Sequence, residues 1–289
     1  MLAAVLVAAG PASADRAPVE LPVPKPEDLS AARTILRDAD LLLECEKGNA
    51  EEVKKLLANG IDANAARSTG ATALGYAIAG RHADVAALLL EFKADPNKTS
   101  AGLAPLVMAA ENGDVATVQL LLQHGAKVDA PLHAVDEQLK AREGDTALMA
   151  AASQTGAPAV VRALLAAGAD INARAANGKT ALIQAVAADN VAVLKALLEA
   201  KPDLELRLVD DDADLDALTL AVGKSKPEMV SMLLDAGADA TVKMDDEVTL
   251  LEFAVLSGQQ QVAARLRKAG LAEPSAARLA ELRKEAREP

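Results

Sequence analysis

Apolar residues recur along this chain with two nested spacings. On the short scale they fall three and four residues apart: Val85 with Leu88 and Leu89, Val118 with Leu121 and Leu122, Val193 with Leu197 and Leu198. Leu148, Ala151 and Ala152 repeat the pattern. That spacing puts them on one side of a 3.6-residue turn and predicts short helices with a buried stripe. On the long scale a leucine returns at Leu74, Leu106, Leu148, Leu182, Leu218 and Leu251, at intervals of 32, 42, 34, 36 and 33 residues. A period near 33 suits a turn plus two helices, a unit that buries its apolar side only by stacking on its neighbours.

The polar residues between these stripes fit the same unit. Thr72, Thr146 and Thr180 precede the first helix, where a hydroxyl accepts from an orphan backbone amide. Gly60, Gly125, Gly168, Gly237 and Gly270 follow the second helix and suit a left-handed C-terminal cap. Asp or Asn two to four residues later favours a turn. The stretch Asn177-Gly178-Lys179-Thr180-Ala181-Leu182, preceded by Gly168-Ala169-Asp170-Ile171-Asn172, is the clearest copy. Gly70-Ala71-Thr72-Ala73-Leu74, Gly102-Leu103-Ala104-Pro105-Leu106 and Gly144-Asp145-Thr146-Ala147-Leu148 repeat its opening. Asp214-Leu215-Asp216-Ala217-Leu218 and Glu247-Val248-Thr249-Leu250-Leu251 are degenerate versions.

Across about residues 39–271 the chain resembles the ankyrin-repeat family. That family opens each unit with Gly-x-Thr-Pro-Leu-His-x-Ala-Ala and closes it with Leu-Leu-x-x-Gly-Ala-Asp-x-Asn. The closing pattern is matched by Leu121–Asp129, Leu164–Asn172 and Leu233–Asp239. The resemblance implies an all-α solenoid of about seven helix-turn-helix repeats with short hairpin-like turns. Ser30 is expected to cap the first helix of a polar-fronted terminal repeat that runs to Asn64.

Several departures change the expectation locally. No repeat has His after the motif leucine; Gly75, Val107, Met149, Ile183, Thr219 and Glu252 stand there. In the family that imidazole helps bridge adjacent turns, so less rigid hairpins are expected here. Asp214 and Glu247 replace the turn glycine, which puts the geometry of the last two turns in doubt. Those two repeats are expected to exchange amide protons faster than Thr146–Ala200. The 42-residue interval holds an insertion, 131–143, read either as a binding-face loop or as a solvated excursion.

The ends divide the chain further: 1–14 signal peptide, 15–28 proline-rich linker, 29–271 repeat domain, 272–289 C-terminal capping helix. Leu2–Gly10 is a short apolar run followed by Ala-Ser-Ala, as at the end of a secretory signal. No Lys or Arg precedes it, so either the amino group alone supplies the charge or the true start lies upstream. A periplasmic or secreted protein is expected, with a cytoplasmic one as the alternative. Pro18, Pro22, Pro24 and Pro26 predict an extended tether over Ala17–Asp28. Leu279 and Leu282 lie on one side of a closing helix, the alternative being a partner-binding tail.

Hydrophobic residues make up 51% of the 289, but aromatics only 1%, so the core must be built of Ala, Leu and Val. A net charge of −12 disfavours nucleic acid and anionic membranes, both of which call for clustered Lys and Arg. It suits a basic protein partner, or serves solubility alone. Cys45, the single cysteine, excludes an internal disulfide and is expected to be buried. His82, His124 and His133 are scattered, and no HExxH, CxxC, GxSxG or GxxxxGK[ST] occurs, so neither enzyme activity nor a cofactor or metal is expected. The run Asp210–Asp216 is read as an acidic finger facing solvent or a basic partner, with calcium binding as a weaker alternative.

These features converge on a non-catalytic module that binds another protein. The alternatives are an acidic inhibitor or immunity-like protector of a basic secreted protein, and a stabilising accessory to an envelope enzyme. By resemblance to the family, recognition falls on the concave face and turn tips. There the candidates are Phe92, Leu103, Glu111, Asn112, His124, Asp145, Gln154, Lys179, Asp212, Leu215, Asp245 and Asp246, joined by Ser68, Thr69, Ser153, Asn177 and Lys224. Phe92 is either an aromatic anchor or packs on the next repeat. Tyr76 and Phe253, two residues past a motif leucine, are expected to pack in the core.

Overall fold

The motif leucines do what their spacing predicts: Leu74, Leu106, Leu148, Leu182, Leu218 and Leu251 are all at most 3% exposed. They belong to a computed structural model that describes residues 26–133, 140–153, 158–210, 213–244 and 248–285, the side chains of 26–36, 141, 209, 210, 213 and 214 excepted. The chain divides into two compact units, Met1–Leu36 and Arg37–Pro289. The second holds the repeat array.

Each repeat contributes a first and a second helix. The first helices are α1 (Pro26–Lys47), α3 (Ala73–Ala79), α5 (Pro105–Glu111), α7 (Ala147–Ser153), α9 (Ala181–Ala187), α11 (Ala217–Gly223) and α13 (Leu250–Leu256). The second helices are α2 (Ala50–Ala58), α4 (Ala83–Glu91), α6 (Val115–Gln123), α8 (Pro158–Ala166), α10 (Val191–Glu199), α12 (Pro227–Asp235) and α14 (Gln260–Lys268). From α3 to α13 each first helix packs on the next, and from α2 to α14 each second helix does the same. Two parallel rows of helices result, joined within each repeat and sharing one continuous hydrophobic core. Ala lets the rows approach closely: Ala77, Ala109, Ala151, Ala185, Ala221 and Ala254 are fully buried at equivalent places.

Caps punctuate the helices as the sequence indicates. Thr72 Oγ1 accepts from Gly75 N at 3.0 Å, and Thr180 Oγ1 from Ile183 N at 3.3 Å. Thr146 Oγ1 receives Met149 N at 3.4 Å. Asp216 takes the same role for α11, accepting from Thr219 N at 2.7 Å, and Thr249 forms a reciprocal capping box with Glu252. After the second helices the chain turns through the left-handed region at Gly60, Gly125, Gly168, Gly237 and Gly270, with φ between 82° and 98°. Lys93 and Lys201 occupy that same place without being glycine, at φ 71° and 55°.

One expectation needs correction. Ser30 does not start a helix: α1 already begins at Pro26, which absorbs the end of the expected tether. Proline tolerates the first turn, where its missing N–H would have no partner anyway. The tip beside Asp214, which replaces the turn glycine, lies outside the described residues at 211–212, but the arms of its finger are described. That finger forms an antiparallel pair, β1 (Leu208–Asp210) with β2 (Ala213–Leu215), in which Val209 faces Asp214. The other described fingers make only isolated bridges, Ala66 with Thr72, Ser100 with Leu103 and Lys243 with Thr249. Glu247, the second replaced glycine, and the segment 1–14 lie outside the described residues. At the other end α15 (Ala276–Glu285) packs on α13, burying Leu282. No helix among the described residues is long and apolar enough to cross a membrane.

Candidate functional site

The fingers between repeats are held to one another by side-chain and backbone bonds. Gly75, standing where the family carries His, leaves room for the hydroxyl of Ser100 from the next finger; a Cβ there would collide with Ser100 Oγ and Cβ. Through that gap Thr72 N donates to Ser100 Oγ at 3.0 Å, in a buried setting. Backbone bonds add to it: Ala101 N donates to Gly70 O at 3.2 Å, and Ala176 N to Glu143 O at 2.9 Å.

Just ahead of the fingers in sequence an amide-and-carboxylate ladder links successive units. Asn64 Oδ1 accepts from Asp95 N at 2.7 Å, and Asn97 Oδ1 from Lys127 N at 2.8 Å. Asp129 accepts from Asp170 N at 3.1 Å, and Asn172 Oδ1 from Asp203 N at 2.9 Å. His82 is structural too. Its ring fills the space over Gly48 and Gly80, and its Nε2–H donates to Glu46 O at 3.2 Å.

Three of the proposed docking residues come together, but in a brace rather than on an open surface. Asp145 is 4% exposed. Its Oδ2 accepts from Arg142 Nε at 3.2 Å, and Lys179 Nζ lies 2.8 Å from its Oδ1, an ionic contact off the hydrogen-bond line. Arg142 also pairs with Glu111 on α5. Alternating charges thus run Glu111, Arg142, Asp145, Lys179 across three repeats. Arg142 sits in the insertion, where no periodic signal marks it, and only the acidic Glu143 and Asp145 just after it hinted at the role. The insertion is tied at its base as well. Leu132 is fully buried, its N–H donates to Asp145 O and its carbonyl accepts from Gly144 N, both at 2.8 Å.

Other candidates scatter. Phe92 caps α4 and is 39% exposed. His124, Ser68, Thr69 and Lys224 are exposed, and Leu103 and Leu215 are half-buried in their fingers. Asn112 is committed to the stack, its Nδ2 donating to Ile78 O at 2.7 Å. Ser153 Oγ donates to Ala150 O within its own helix, and Asn177 Oδ1 accepts from Lys179 N. Gln154, Asp212, Asp245 and Asp246 lie outside the described residues. Cys45 is fully buried, and desolvation, with the Glu44 carboxylate adding to it, pushes its thiol up to about 12. Missed by the sequence reading were Leu43, 43% exposed on α1, and the Arg67 guanidinium 4.8 Å above the Tyr76 ring. Tyr76 and Phe253 are half-buried against the core.

The ankyrin repeats (3 copies) family pattern matches residues 41–132 and 128–207, together more than half of the chain. This is an ankyrin-repeat protein. Like other ankyrin-repeat arrays, which typically mediate protein–protein interaction, it finds similar stretches in much larger proteins. It is 31% identical over 209 residues to the E3 ubiquitin-protein ligase KEG of Arabidopsis thaliana, covering 69% of this chain and 12% of that protein. To the ankyrin repeat and KH domain-containing protein mask-1 of Caenorhabditis elegans it is 29% identical over 247 residues, covering 77% of this chain and 9% of that one. The ankyrin-repeat chain therefore spans only a small part of these relatives. In fold it is similar to the human ASB11 ankyrin repeat domain, with a TM-score of 0.66, 24% identity, and coverage of 81% of this chain and 99% of the other.

Proposed function

We propose that this ankyrin-repeat array is a non-catalytic recognition module that binds one partner protein through its finger tips and the outer face of its first-helix row. The observation that supports this reading most is the fixed register of the fingers. Thr72 on Ser100, Ala101 on Gly70 and Ala176 on Glu143 lock neighbouring tips together before any partner arrives. A surface already ordered loses little conformational entropy on docking, so its contacts go into affinity. Under this reading the ligase activity named for the plant relative belongs to that larger protein and not to the repeats.

A second reading has its own support in charge. Residues 201–250 carry thirteen Asp and Glu against five Lys and Arg, more of the acidic excess than any other stretch. An acidic inhibitor or immunity-like protector would use those fingers to mask a basic secreted protein. A stabilising accessory to an envelope enzyme would need no such charge. Export itself rests on the apolar run Leu2–Gly10 and the Ala-Ser-Ala that follows; a chain recovered from cells still beginning at Met1 argues against it.

Affinity capture with the chain from Asp15 onward, run beside an unrelated acidic solenoid, tests the main reading. A partner retained by this array alone supports it, and equal recovery on both overturns it. Raising salt then separates the alternatives, because a charge-steered complex with a basic partner weakens as screening increases.

A further inference from the structure

The first finger differs in charge from the acidic chain around it. From Ala63 to Ala83 there is no Asp or Glu, while Arg67 and Arg81 are present. The Arg67 guanidinium lies over the Tyr76 ring, 4.8 Å from its centre. A cation in that place is attracted by the negative face of the ring, and the flat guanidinium is held in one orientation. Among the described residues its one ionic contact is loose. Glu46 on α1 stands 3.5 Å away, longer than the roughly 2.7–2.9 Å of a charge-assisted hydrogen bond. The two side chains are 48% and 53% exposed, and a pair so open to water contributes little.

Neighbouring fingers spend their cations inside the array. Lys98 Nζ donates to Asn64 O at 2.7 Å, Arg142 and Lys179 hold Asp145, and Arg174 donates to Arg207 O. Beside Arg67 there is also an apolar neighbour. Leu43 lies one turn before Glu46 on the same face of α1 and is 43% exposed.

From this we infer that Arg67 is the point at which the array receives a carboxylate side chain from an acidic segment of the partner protein, with an apolar side chain beside it on Leu43. Resting on the recognition role proposed above, this names the chemistry taken at one end of the stack. The guanidinium fork offers paired N–H groups that match the two oxygens of a carboxylate. Because Tyr76 already holds the fork, little freedom is lost when a partner arrives. The first finger has no acid of its own to repel the incoming group. The acidic stretch 201–250 belongs to repeats further along the stack, and charges beyond about 8 Å are largely screened at physiological salt. Glu46 sets the charge of the occupant: a singly charged carboxylate displaces its loose contact, whereas a doubly charged phosphate meets twice the repulsion from it.

The test uses the full chain, isotope-labelled for amide NMR, and three short synthetic peptides of equal length. The first alternates Glu and Leu through Ser spacers, the second has Gln for Glu, and the third has Ser for Leu. The Glu–Leu peptide is expected to shift the amides around Arg67 and to bind at least about tenfold tighter than the Gln peptide and severalfold tighter than the Ser one. Its affinity should fall between about 0.05 and 0.5 M salt. Arg67→Lys keeps the charge but loses the planar fork and should lower affinity about tenfold, and Leu43→Ser severalfold. Glu46→Gln removes the competing carboxylate and should raise it severalfold. All three positions are exposed, so thermal midpoints should stay unchanged. Equal binding of the Glu and Gln peptides, an Arg67→Lys chain that binds like the unaltered one, or weaker binding by Glu46→Gln overturns the inference. A natural partner captured as well by Arg67→Lys as by the unaltered chain would also overturn it while leaving the recognition role intact; only the failure to capture any partner counts against that role.

Discussion

Substituting Gly75 with Ala adds one methyl group at the point where two fingers meet, and its consequences follow from the contacts there. The new Cβ would collide with Ser100 Oγ and Cβ and press on Thr72 Oγ1 at 3.1 Å. Ser100 is 5% exposed and cannot swing into solvent. Overpacking of this kind costs about 1–3 kcal/mol. Displacing the Ser100 hydroxyl also leaves the buried Thr72 amide without its acceptor, a further penalty of about 1–3 kcal/mol. Against this, Ala in place of Gly inside a helix returns about 0.5–1 kcal/mol. The net expectation is a loss of about 2–4 kcal/mol, seen as a lower urea midpoint and faster amide exchange around Thr72. The pair Gly75→Ala with Ser100→Gly removes the collision but not the orphaned amide, so it should recover part of the loss. Ser100→Gly alone reports the bond by itself. A neutral or stabilising Gly75→Ala refutes the argument, as does a pair no more stable than the single variant.

Other outcomes follow from single features. Lys93→Gly and Lys201→Gly relieve side chains held at positive φ and should each stabilise the array by about 1 kcal/mol, visible as a higher thermal midpoint. Gln259 is the N-cap residue of α14 yet makes no cap bond, and its buried Oε1 has no partner. Gln259→Asn, one methylene shorter, should gain the cap and about 1 kcal/mol, measured by urea unfolding. Cys45, buried and with its thiol pushed up to about 12, should resist an aromatic disulfide reagent at pH 8 until the chain is denatured; prompt reaction of the native protein contradicts the burial.

Most of the architecture was legible because a repeat states each requirement many times. Leu74 alone says little, but a leucine returning five times near one period, behind a capping hydroxyl, specifies a stacked unit. Glycines after the second helices read equally well, since a left-handed cap admits few other residues; Lys93 and Lys201 show the exceptions. The docking surface was less legible. Asp145 and Lys179 looked like finger-tip residues because their numbers place them there, yet Arg142 from the aperiodic insertion draws them into the brace. Asn112 was likewise claimed by a carbonyl one repeat away, and periodicity carries no trace of such a bond. Phe92 keeps 39% of its surface exposed, which leaves its role as anchor or as packing residue to its contacts. At Gly75, one of the places without the family histidine, Ser100 fills the space, and only the distance between the two reveals it.

The closed base of the insertion has a practical consequence. Because backbone bonds from Leu132 to Asp145 and from Gly144 to Leu132 close the base, added length between His133 and Lys140 is expected to leave the repeats on either side unchanged. Lengthening such a span adds only about 0.6 kcal/mol of closure entropy per doubling. That makes the span between His133 and Lys140 the place where inserted foreign sequence is expected to be tolerated without changing the pitch of the repeats.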